Sequence, residues 1–470
     1  MKKKLFCCVI AFMLMVAGCA ELPTASYADG SPESSEAGAS SAAATEAPES
    51  SEEKPVEQKE FDPNALRICI DQPSSIVGDQ SDRFLTQLEI DLKSRIQAAG
   101  GPENIEFDSI PNEVSARKIA IERIRTEIMA GEGPDVFIVA GSNWLFPIPE
   151  KAMQEGVFLT LDEYIQNAEL GDWDNLTQPV LEAGRTEEGQ QLVPMKYTLP
   201  VTTYLKESVP EMPPTGTTWQ DMLADETGIL RRAALMHRDA QGEFDMLPED
   251  SVLPVLGEFA DYETGELLFS EEELLNVTEE LLALDEEINA EGFMEFPEYL
   301  QGRFDGQNLA TINAGSGEAS SITKETPVTI IPIYSENGDV TATVQAYTGI
   351  NRNTKHPEEA FFVVDYLMSA QAQQELRIFY MSGGFPVNEA VLSEEYPQQG
   401  GAVYLTDENF EAVSNLRDQI SKVYFENDLV RTLSGSYGTC RVIQSGEITD
   451  QTVEGVVAET YDALKQMLSE

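Results

Sequence analysis

Side chains suited to acid–base, nucleophilic or metal chemistry are scarce in this chain, apart from its carboxylates. Its 470 residues include two histidines, His237 and His356, and contain neither His-Glu-x-x-His nor Gly-x-Ser-x-Gly. Because there are 83 aspartates and glutamates, a pair at the separation used by glycosidases is expected by chance and indicates no activity by itself. We therefore predict no catalytic residue, and we expect both histidines to lie at the surface.

Two short motifs fall short of a cofactor or metal site. Gly131-Glu132-Gly133 lacks the third glycine of a dinucleotide-binding loop, because residue 136 is valine. Asp172-Trp173-Asp174 begins like a calcium loop, but Thr177 stands where that loop needs glycine. We predict no metal and no cofactor.

The five cysteines indicate neither a metal cluster nor a disulfide framework. Cys7 and Cys8 lie in the N-terminal apolar segment, and only Cys69 and Cys440 lie well inside the chain. Cys69 belongs to an apolar run, so we predict a buried thiol; a disulfide between Cys69 and Cys440 is the alternative.

The N-terminus has the pattern of an export signal. Three lysines precede an apolar run from Leu5 to Val16, which is shorter than the roughly 20 residues that cross a bilayer. The sequence Val-Ala-Gly-Cys at 16–19 resembles the lipobox of bacterial lipoproteins. That resemblance implies removal of residues 1–18, acylation of Cys19, palmitate included, and anchoring on the extracytoplasmic face of the cell membrane. An ordinary secretory signal is the alternative.

Residues 19–61 are expected to form a disordered tether after that anchor. Residues 20–60 consist mainly of Ala, Ser, Glu, Pro, Gly and Thr, with too few large apolar side chains to offset the entropy of ordering them. Ten acidic residues against Lys54 and Lys59 leave a net charge of −8, so the segment repels itself and stays extended.

The remaining 410 or so residues exceed what one hydrophobic core usually supports, so we predict two lobes. The whole chain carries 30 basic and 83 acidic side chains, a net charge of −53. Such a surface repels phosphates, so nucleic acid is excluded as a partner. We expect a monomer.

Strands and helices alternate over the first part of this region. Hydrophobic periodicity predicts a strand over Leu66–Ile70, a helix over Asp82–Ala99, a strand over Ile105–Ile110, a helix over Val114–Ala130 and a buried strand beginning at Val136. This order is typical of parallel βαβ units, and it predicts an α/β fold. In open α/β sheets, ligands bind beyond the carboxyl ends of the strands.

Polar and aromatic side chains follow two of these strands. Asp71 and Gln72 come directly after the first, and Ser142, Asn143 and Trp144 come after the strand that begins at Val136. Sugars present C–H faces that pack on aromatic rings and hydroxyls that need polar partners. We therefore predict that these five side chains contribute to a ligand site.

Five segments, in order, are similar to extracellular solute-binding proteins of the ABC sugar-importer type, the family that includes maltose-binding-protein-like proteins. The segments are 131–165, with Gly-x-Gly-Pro-Asp-Val; 204–223; 302–313; 350–368, with Lys-His-Pro-Glu-Glu-Ala; and 383–388, with Gly-Gly-Phe-Pro-Val-Asn. The resemblance implies a two-lobed, periplasmic-binding-protein-like clamshell, in which each lobe is a mostly parallel sheet flanked by helices and the chain crosses between lobes several times.

The same resemblance divides the chain. It implies a first lobe of 62–199 plus 340–387 and a second lobe of 200–335 plus 388–470. It further implies that the protein captures an extracellular solute, most often a carbohydrate, by lobe closure and delivers it to the permease subunits of an ABC importer. Trp219 falls at a helix start that is usually structural in the family, and Trp173 has no assigned place.

The resemblance also places cleft-lining positions at Tyr197, Tyr347 and Phe385. One departure concerns residues 314–319, Ala-Gly-Ser-Gly-Glu-Ala, where many sugar-binding members carry a stacking tryptophan. Ser316 is the candidate ligand residue in that segment. Either Trp144 and the tyrosines supply the aromatic surface, or the ligand is a small polar or charged solute other than an ordinary oligosaccharide.

Two other classes of protein share the signal and the tether. A cell-surface adhesion or assembly lipoprotein would lack a closing cleft. A hydrolase of wall polymers or glycans would place a carboxylate pair, or a nucleophile beside a base, in the cleft.

Overall fold

The computed structural model describes most of the chain from residue 60 onward. The described residues are 60–72, 79–140, 145–199, 201–205, 214, 216–226, 230, 259–290, 328–332, 334–335, 337–376, 385–391, 395–398, 401–404, 411 and 414–469. The predicted signal, the lipidation site at Cys19 and nearly all of the predicted tether lie outside them.

The strands of the described residues are β1 Leu66–Asp71, β2 Ile105–Phe107, β3 Val136–Ala140, β4 Arg185–Thr186, β5 Gly189–Gln190, β6 Leu192–Thr198, β7 Val201–Leu205, β8 Ala260–Asp261, β9 Glu266–Leu267, β10 Val328–Pro332, β11 Val340–Ile350, β12 Phe385–Pro386, β13 Glu395–Gln398, β14 Gly401–Tyr404 and β15 Ile420–Phe425.

The α-helices of the same residues are α1 Asp79–Ala98, α2 Val114–Met129, α3 Pro149–Gln154, α4 Asp162–Ile165, α5 Gln178–Glu182, α6 Trp219–Leu223, α7 Glu271–Ala290, α8 Pro357–Leu367, α9 Ala370–Glu375, α10 Asp428–Gln444 and α11 Val453–Ser469. None of these helices combines the length and the apolarity that crossing a membrane requires.

A seven-stranded sheet organises the fold. Its order is β12-β6-β11-β3-β1-β2, and β15 pairs with β11 beside this path. β1 is parallel to β2 and β3, and β15 is parallel to β11, whereas β11 is antiparallel to β3 and β6, and β12 is antiparallel to β6. The α/β fold is therefore confirmed, but this sheet is mixed rather than mostly parallel, because β6, β11 and β12 join it from distant parts of the chain.

The first βαβαβ unit forms where the hydrophobic pattern of the sequence predicts it. β1 and β3 are buried along nearly their whole length, and α2 turns Arg117, Ile121 and Ile124 toward the interior. The chain leaves α2 through Gly131, whose φ of 77° is a left-handed conformation that glycine adopts without a Cβ clash.

β2 is shorter than predicted because regular pairing ends at Phe107. The amides of Asp108 and Ile110 still donate to carbonyls of β1, but the Asp108 carboxylate turns to Arg67 and Arg123. Side-chain ion pairing, which hydrophobic periodicity does not report, therefore shapes this end of the strand.

Three phenylalanine rings form an aromatic cluster beside β3. The rings of Phe137, Phe146 and Phe158 meet edge to face with centroids 5.0–6.0 Å apart. Cys69 and Cys440 are both buried free thiols, and burial raises the pKa of each. The predicted buried thiol at Cys69 is confirmed, and the alternative of a Cys69–Cys440 disulfide is wrong.

The predicted boundary between lobes stays a prediction. β15 lies in the same sheet as β1, β3 and β11, although the predicted division assigned residues 388–470 to the second lobe. β7 and β10, which the same division places in that lobe, form a separate antiparallel pair.

Candidate functional site

The carboxyl ends of β1, β3 and β6 lie along one edge of the main sheet. β3 and β6 are both antiparallel to β11, so they run in the same direction, and β1 is parallel to β3. Asp71 is the pairing partner of Val139, which in turn is the partner of Tyr347. Paired residues point to the same side of a sheet, so Asp71 and Tyr347 share one face.

Asp71 is fully buried and its carboxylate is anchored on both oxygens. Oδ1 accepts a hydrogen bond from the Arg117 guanidinium, and Oδ2 accepts one from the Leu145 amide at 3.3 Å. The Arg117 side chain is 5% exposed, so the two groups form a buried ion pair. Such a pair offsets its desolvation cost only when the geometry is good and other bonds satisfy the remaining atoms.

Gln72 extends the polar surface beyond Asp71. The residue is 4% exposed, and its amide oxygen has no hydrogen-bond partner among the described residues. Buried polar atoms are nearly always paired with protein, water or ligand, so this oxygen is suited to accept a bond from a solute hydroxyl or a water molecule.

Four predicted ligand residues, Ser142, Asn143, Trp144 and Ser316, lie outside the described residues. The Leu145 amide donates to Asp71, and the Leu145 carbonyl accepts from Arg125 Nε at 3.0 Å. Leu145 is therefore tied to the end of β1 and to α2.

The three predicted aromatic positions are buried against other rings. Tyr197 and Phe385 are pairing partners whose ring centroids lie 5.8 Å apart, and burial raises the pKa of Tyr197 to about 12. Tyr347 meets Phe425 edge to face at 5.2 Å. These rings pack within the protein in this conformation, and their role in ligand binding stays a prediction.

Sequence reasoning did not single out several polar residues beside this edge. Lys196 is buried in β6, where desolvation lowers its pKa to about 7. Thr198, at the end of β6, accepts from Gln345 Nε2 at 3.4 Å. Arg117 could have been found, because it lies four residues before Ile121 on the buried face of α2, but the helical pattern does not identify its partner.

Trp173, to which the sequence assigns no position in the fold, takes part in a separate set of contacts around Asp365. Its Nε1 donates to Asp365 Oδ1 at 2.7 Å, and its ring stacks on Phe361 at 6.2 Å. Asp172 Oδ2 accepts from Ala370 N and from Asn388 Nδ2. The carboxylates of Asp172 and Asp365 thus bind groups of the protein itself. Within the described part of the chain, no group of His, Cys, Asp or Glu is suited to a metal ion.

Trp219 and His356 both lie at helix starts. Trp219 is buried, and Thr218 and Asp221 form a reciprocal capping box around it. His356 occupies the N-cap position of α8 without a capping bond from its side chain; its Nδ1 lies 3.1 Å from Glu359, and 22% of its side chain is exposed. His237 lies outside the described residues.

Comparison with known proteins decides the family. Residues 97–374, more than half of the chain, match the family described as bacterial extracellular solute-binding protein. The chain belongs to this family. The match begins in α1 and includes α2, β3, β6 and β11, the elements that form most of the site's edge. No curated protein matches the chain by sequence.

Solved structures of solute-binding proteins share this fold. An extracellular solute-binding protein family 1 from Alicyclobacillus acidocaldarius is 13% identical, with a TM-score of 0.52 over 86% of this chain and 98% of its own. A periplasmic oligogalacturonide-binding protein from Yersinia enterocolitica is 14% identical, with a TM-score of 0.52 over 86% and 99%. CpMnBP1 with mannotriose bound is 14% identical, with a TM-score of 0.51 over 85% and 99%.

At these identities the structural likeness establishes the fold alone. The chain is a two-lobed, periplasmic-binding-protein-like α/β protein of a solute-binding family, as the sequence resemblance implied. The family binds small solutes outside the cytoplasm. The candidate site is the carboxyl edge of the main sheet, where Asp71, Gln72 and Arg117 are buried.

Proposed function

We propose that the protein is the solute-binding lipoprotein of an ABC importer, which captures a carbohydrate between its lobes and delivers it to permease subunits in the membrane. The observation that carries the proposal is the family match over residues 97–374. Lobe closure requires no covalent chemistry of the binding protein, and a ligand shifts the open–closed equilibrium only through its higher affinity for the closed form.

The candidate site supplies the polar half of a sugar site. The Asp71–Arg117 pair joins β1 to α2 at the carboxyl edge of the sheet, and Gln72, with its amide oxygen available as an acceptor, follows β1 directly. Preorganised polar groups of this kind orient hydroxyls and add specificity. Trp144, Tyr197, Tyr347 and Phe385 are the proposed aromatic contributors, with Ser142, Asn143 and Ser316 as further polar ones.

Two of the similar structures carry names that mention mannotriose and oligogalacturonide, so these oligosaccharides are the first ligands to test. The Tm of the purified protein is measured in the presence of each of them, and then with monosaccharides, amino acids, peptides and polyamines. A ligand at 100 times its Kd adds about 2.7 kcal/mol to the free energy of unfolding. A rise in Tm with one chemical class identifies the solute class.

Gln72→Ala is the site variant, and Gln191→Ala is its matched control. Both glutamines are buried with an amide oxygen that lacks a described partner, but Gln191 lies beside Thr186, away from the proposed edge. We expect Gln72→Ala to weaken binding about tenfold, whereas Gln191→Ala leaves the Kd unchanged. Equal effects on the Kd would place the solute elsewhere.

The membrane anchor is tested separately. Cys19→Ala removes the thiol that acylation needs, so the variant should lose a metabolic palmitate label that the wild type carries. A label of equal strength on the variant would contradict acylation at Cys19. Hydrolysis of a bound oligosaccharide would instead favour the glycan hydrolase, and no Tm shift with any ligand would favour adhesion or assembly.

A further inference from the structure

A buried arginine lies in the helical turn that leads into β15. Arg417 is 8% exposed, and the turn is closed by the Asp418 amide, which donates to the Ser414 carbonyl at 3.1 Å. The preceding residue, Leu416, is fully buried. The turn therefore packs into the protein, and its guanidinium does not extend into solvent.

Most donor groups of this guanidinium have no acceptor. Within the described part of the chain, Nε and Nη1 of Arg417 form no hydrogen bond, and Nη2 lies 3.4 Å from Ser414 Oγ. Arg67 and Arg123, by contrast, both bond to the carboxylate of Asp108. A buried charge without a partner is costly, so a group that supplies negative charge is expected at Arg417.

The Tyr197 hydroxyl is a second buried group that lacks a partner, and it lies near Arg417. Tyr197 is fully buried in β6, and its hydroxyl forms no hydrogen bond among the described residues. Burial raises the pKa of this phenol to about 12, and the nearby charge of Arg417 and the neighbouring side chain of Thr177 partly counter the rise. The hydroxyl therefore stays protonated near neutral pH and can donate a hydrogen bond beside the guanidinium.

We propose that Arg417 and the Tyr197 hydroxyl form a binding site for one small oxyanion, such as a carboxylate, a sulfate or a phosphate. The oxyanion supplies the negative charge that the guanidinium lacks, and its other lone pairs accept from the phenol, so both unpartnered groups are satisfied together. The net charge of the whole chain is −53, which repels anions in general. An anion that binds tightly therefore requires a local site of this kind.

Two carboxylates of the chain near this site do not take the place of the anion. Glu389 is exposed and acts on the pKa of Tyr197 through its charge, and Asp418 adjoins Arg417 in sequence and is also exposed. Neither accepts a hydrogen bond from Nε or Nη1 of Arg417 in the described part of the chain. The anion comes either from solution or from the acid group of an acidic sugar, and only the second source rests on the proposed function.

The test measures anion binding to the purified full chain by isothermal titration calorimetry in the absence of any other solute. The probes are sodium sulfate, phosphate, acetate and galacturonate, each compared with sodium chloride at equal ionic strength. We expect at least one of the four to bind the wild type with a Kd of about 1 mM or less. Arg417→Met should weaken this binding by at least about tenfold, because it removes the charged donor.

Arg185→Met is the matched control. It also removes one positive charge, but from a pair with Asp162 at the surface, so it should keep the wild-type Kd for the anion. The anion should also raise the Tm of the wild type and of Arg185→Met, but not that of Arg417→Met.

The ranking of the probes identifies the source of the anion. Sulfate or phosphate that binds at least as tightly as galacturonate supports a free inorganic anion. Galacturonate that binds more tightly than acetate and sulfate, while galactose does not bind, supports the acid group of a sugar. Either ranking supports the site when the binding depends on Arg417.

Tyr197→Phe is the second variant, and it serves if Arg417→Met does not fold. It keeps the ring that packs beside Phe385 and removes only the hydroxyl, so it should weaken anion binding about fivefold. Failure of all four anions to bind the wild type would overturn the proposal. So would an anion affinity that neither Arg417→Met nor Tyr197→Phe changes, because the anion would then bind elsewhere.

Discussion

Asp71 and Asp365 are two buried aspartates whose charge is compensated in different ways. Asp71 meets the guanidinium of Arg117. Asp365 accepts three backbone amides, those of residues 169, 170 and 171, each at 2.9 Å, and the Trp173 indole at 2.7 Å. No cation contributes among these bonds.

The difference separates a structural site from a candidate binding site. Backbone amides are fixed once the loop folds, so Asp365 holds residues 169–173 against α8 and has little freedom to respond to a ligand. A side-chain partner such as Arg117 belongs to another element. The Asp71 carboxylate ties β1 to α2 through Arg117 and to Leu145 through the Leu145 amide, at the edge where ligands of open α/β sheets bind. The comparison predicts that changes at Asp71 alter solute affinity, whereas changes at Asp365 alter stability alone.

The largest expected effect comes from removing one member of the ion pair. Arg117→Met leaves the Asp71 carboxylate buried without its cation and should lower the free energy of unfolding by about 3–5 kcal/mol. The double variant Asp71→Asn/Arg117→Met should recover at least about 1 kcal/mol of that loss, since it leaves no unpaired charge. Urea unfolding of the single and double variants measures both; additive losses would show that the two groups do not interact.

The next effect concerns Asp365. Asp365→Asn keeps one acceptor oxygen but replaces the other with an amide nitrogen that cannot accept, and it removes the charge, so it should cost about 2–3 kcal/mol by urea unfolding. Its Kd for the solute found by the melting screen should stay within a factor of two of the wild type. A tenfold loss of affinity at wild-type-like stability would reverse the assignment of the two aspartates.

The helices and strands were predictable from the sequence, whereas the bonding partners of individual side chains were not, and these two aspartates show why. β1, α2 and β3 follow from local hydrophobic periodicity, and their observed bounds lie within a few residues of the prediction. Arg117 lies on the buried face of α2, but its partner is 46 residues away in sequence, and Trp173 is fixed by a carboxylate 192 residues away. No pattern within one element reports such pairings, and the mixed order of the sheet was missed for the same reason.

A smaller effect isolates the indole in the Asp365 region. Trp173→Phe keeps a ring that can pack on Phe361 but removes the Nε1–H that donates to Asp365, so it should cost about 1.5 kcal/mol of stability. Solute affinity should not change, since Trp173 is used within the protein. A loss of affinity with unchanged Tm would make Trp173 the missing stacking ring of the sugar site.

The smallest effect tests whether the helix that carries Arg117 is itself adjustable. Glu113 caps α2, and its carboxylate accepts from the amides of Ser115 at 3.1 Å and Ala116 at 2.7 Å. These bonds hold the pKa of Glu113 below its ordinary value, so its stabilisation is complete above about pH 4.5 and is lost as the pH falls through the lowered pKa. Glu113→Ala should cost no more than about 1 kcal/mol at pH 7 by urea unfolding, and the difference from the wild type should vanish in acid. Glu122→Ala, on the exposed side of the same helix, controls for the loss of charge. A change in solute affinity caused by Glu113→Ala at pH 7 would mean that the start of α2 positions Arg117. The Asp71 site would then depend on how a neighbouring helix is held, whereas Asp365 is bonded mainly by backbone amides of one loop.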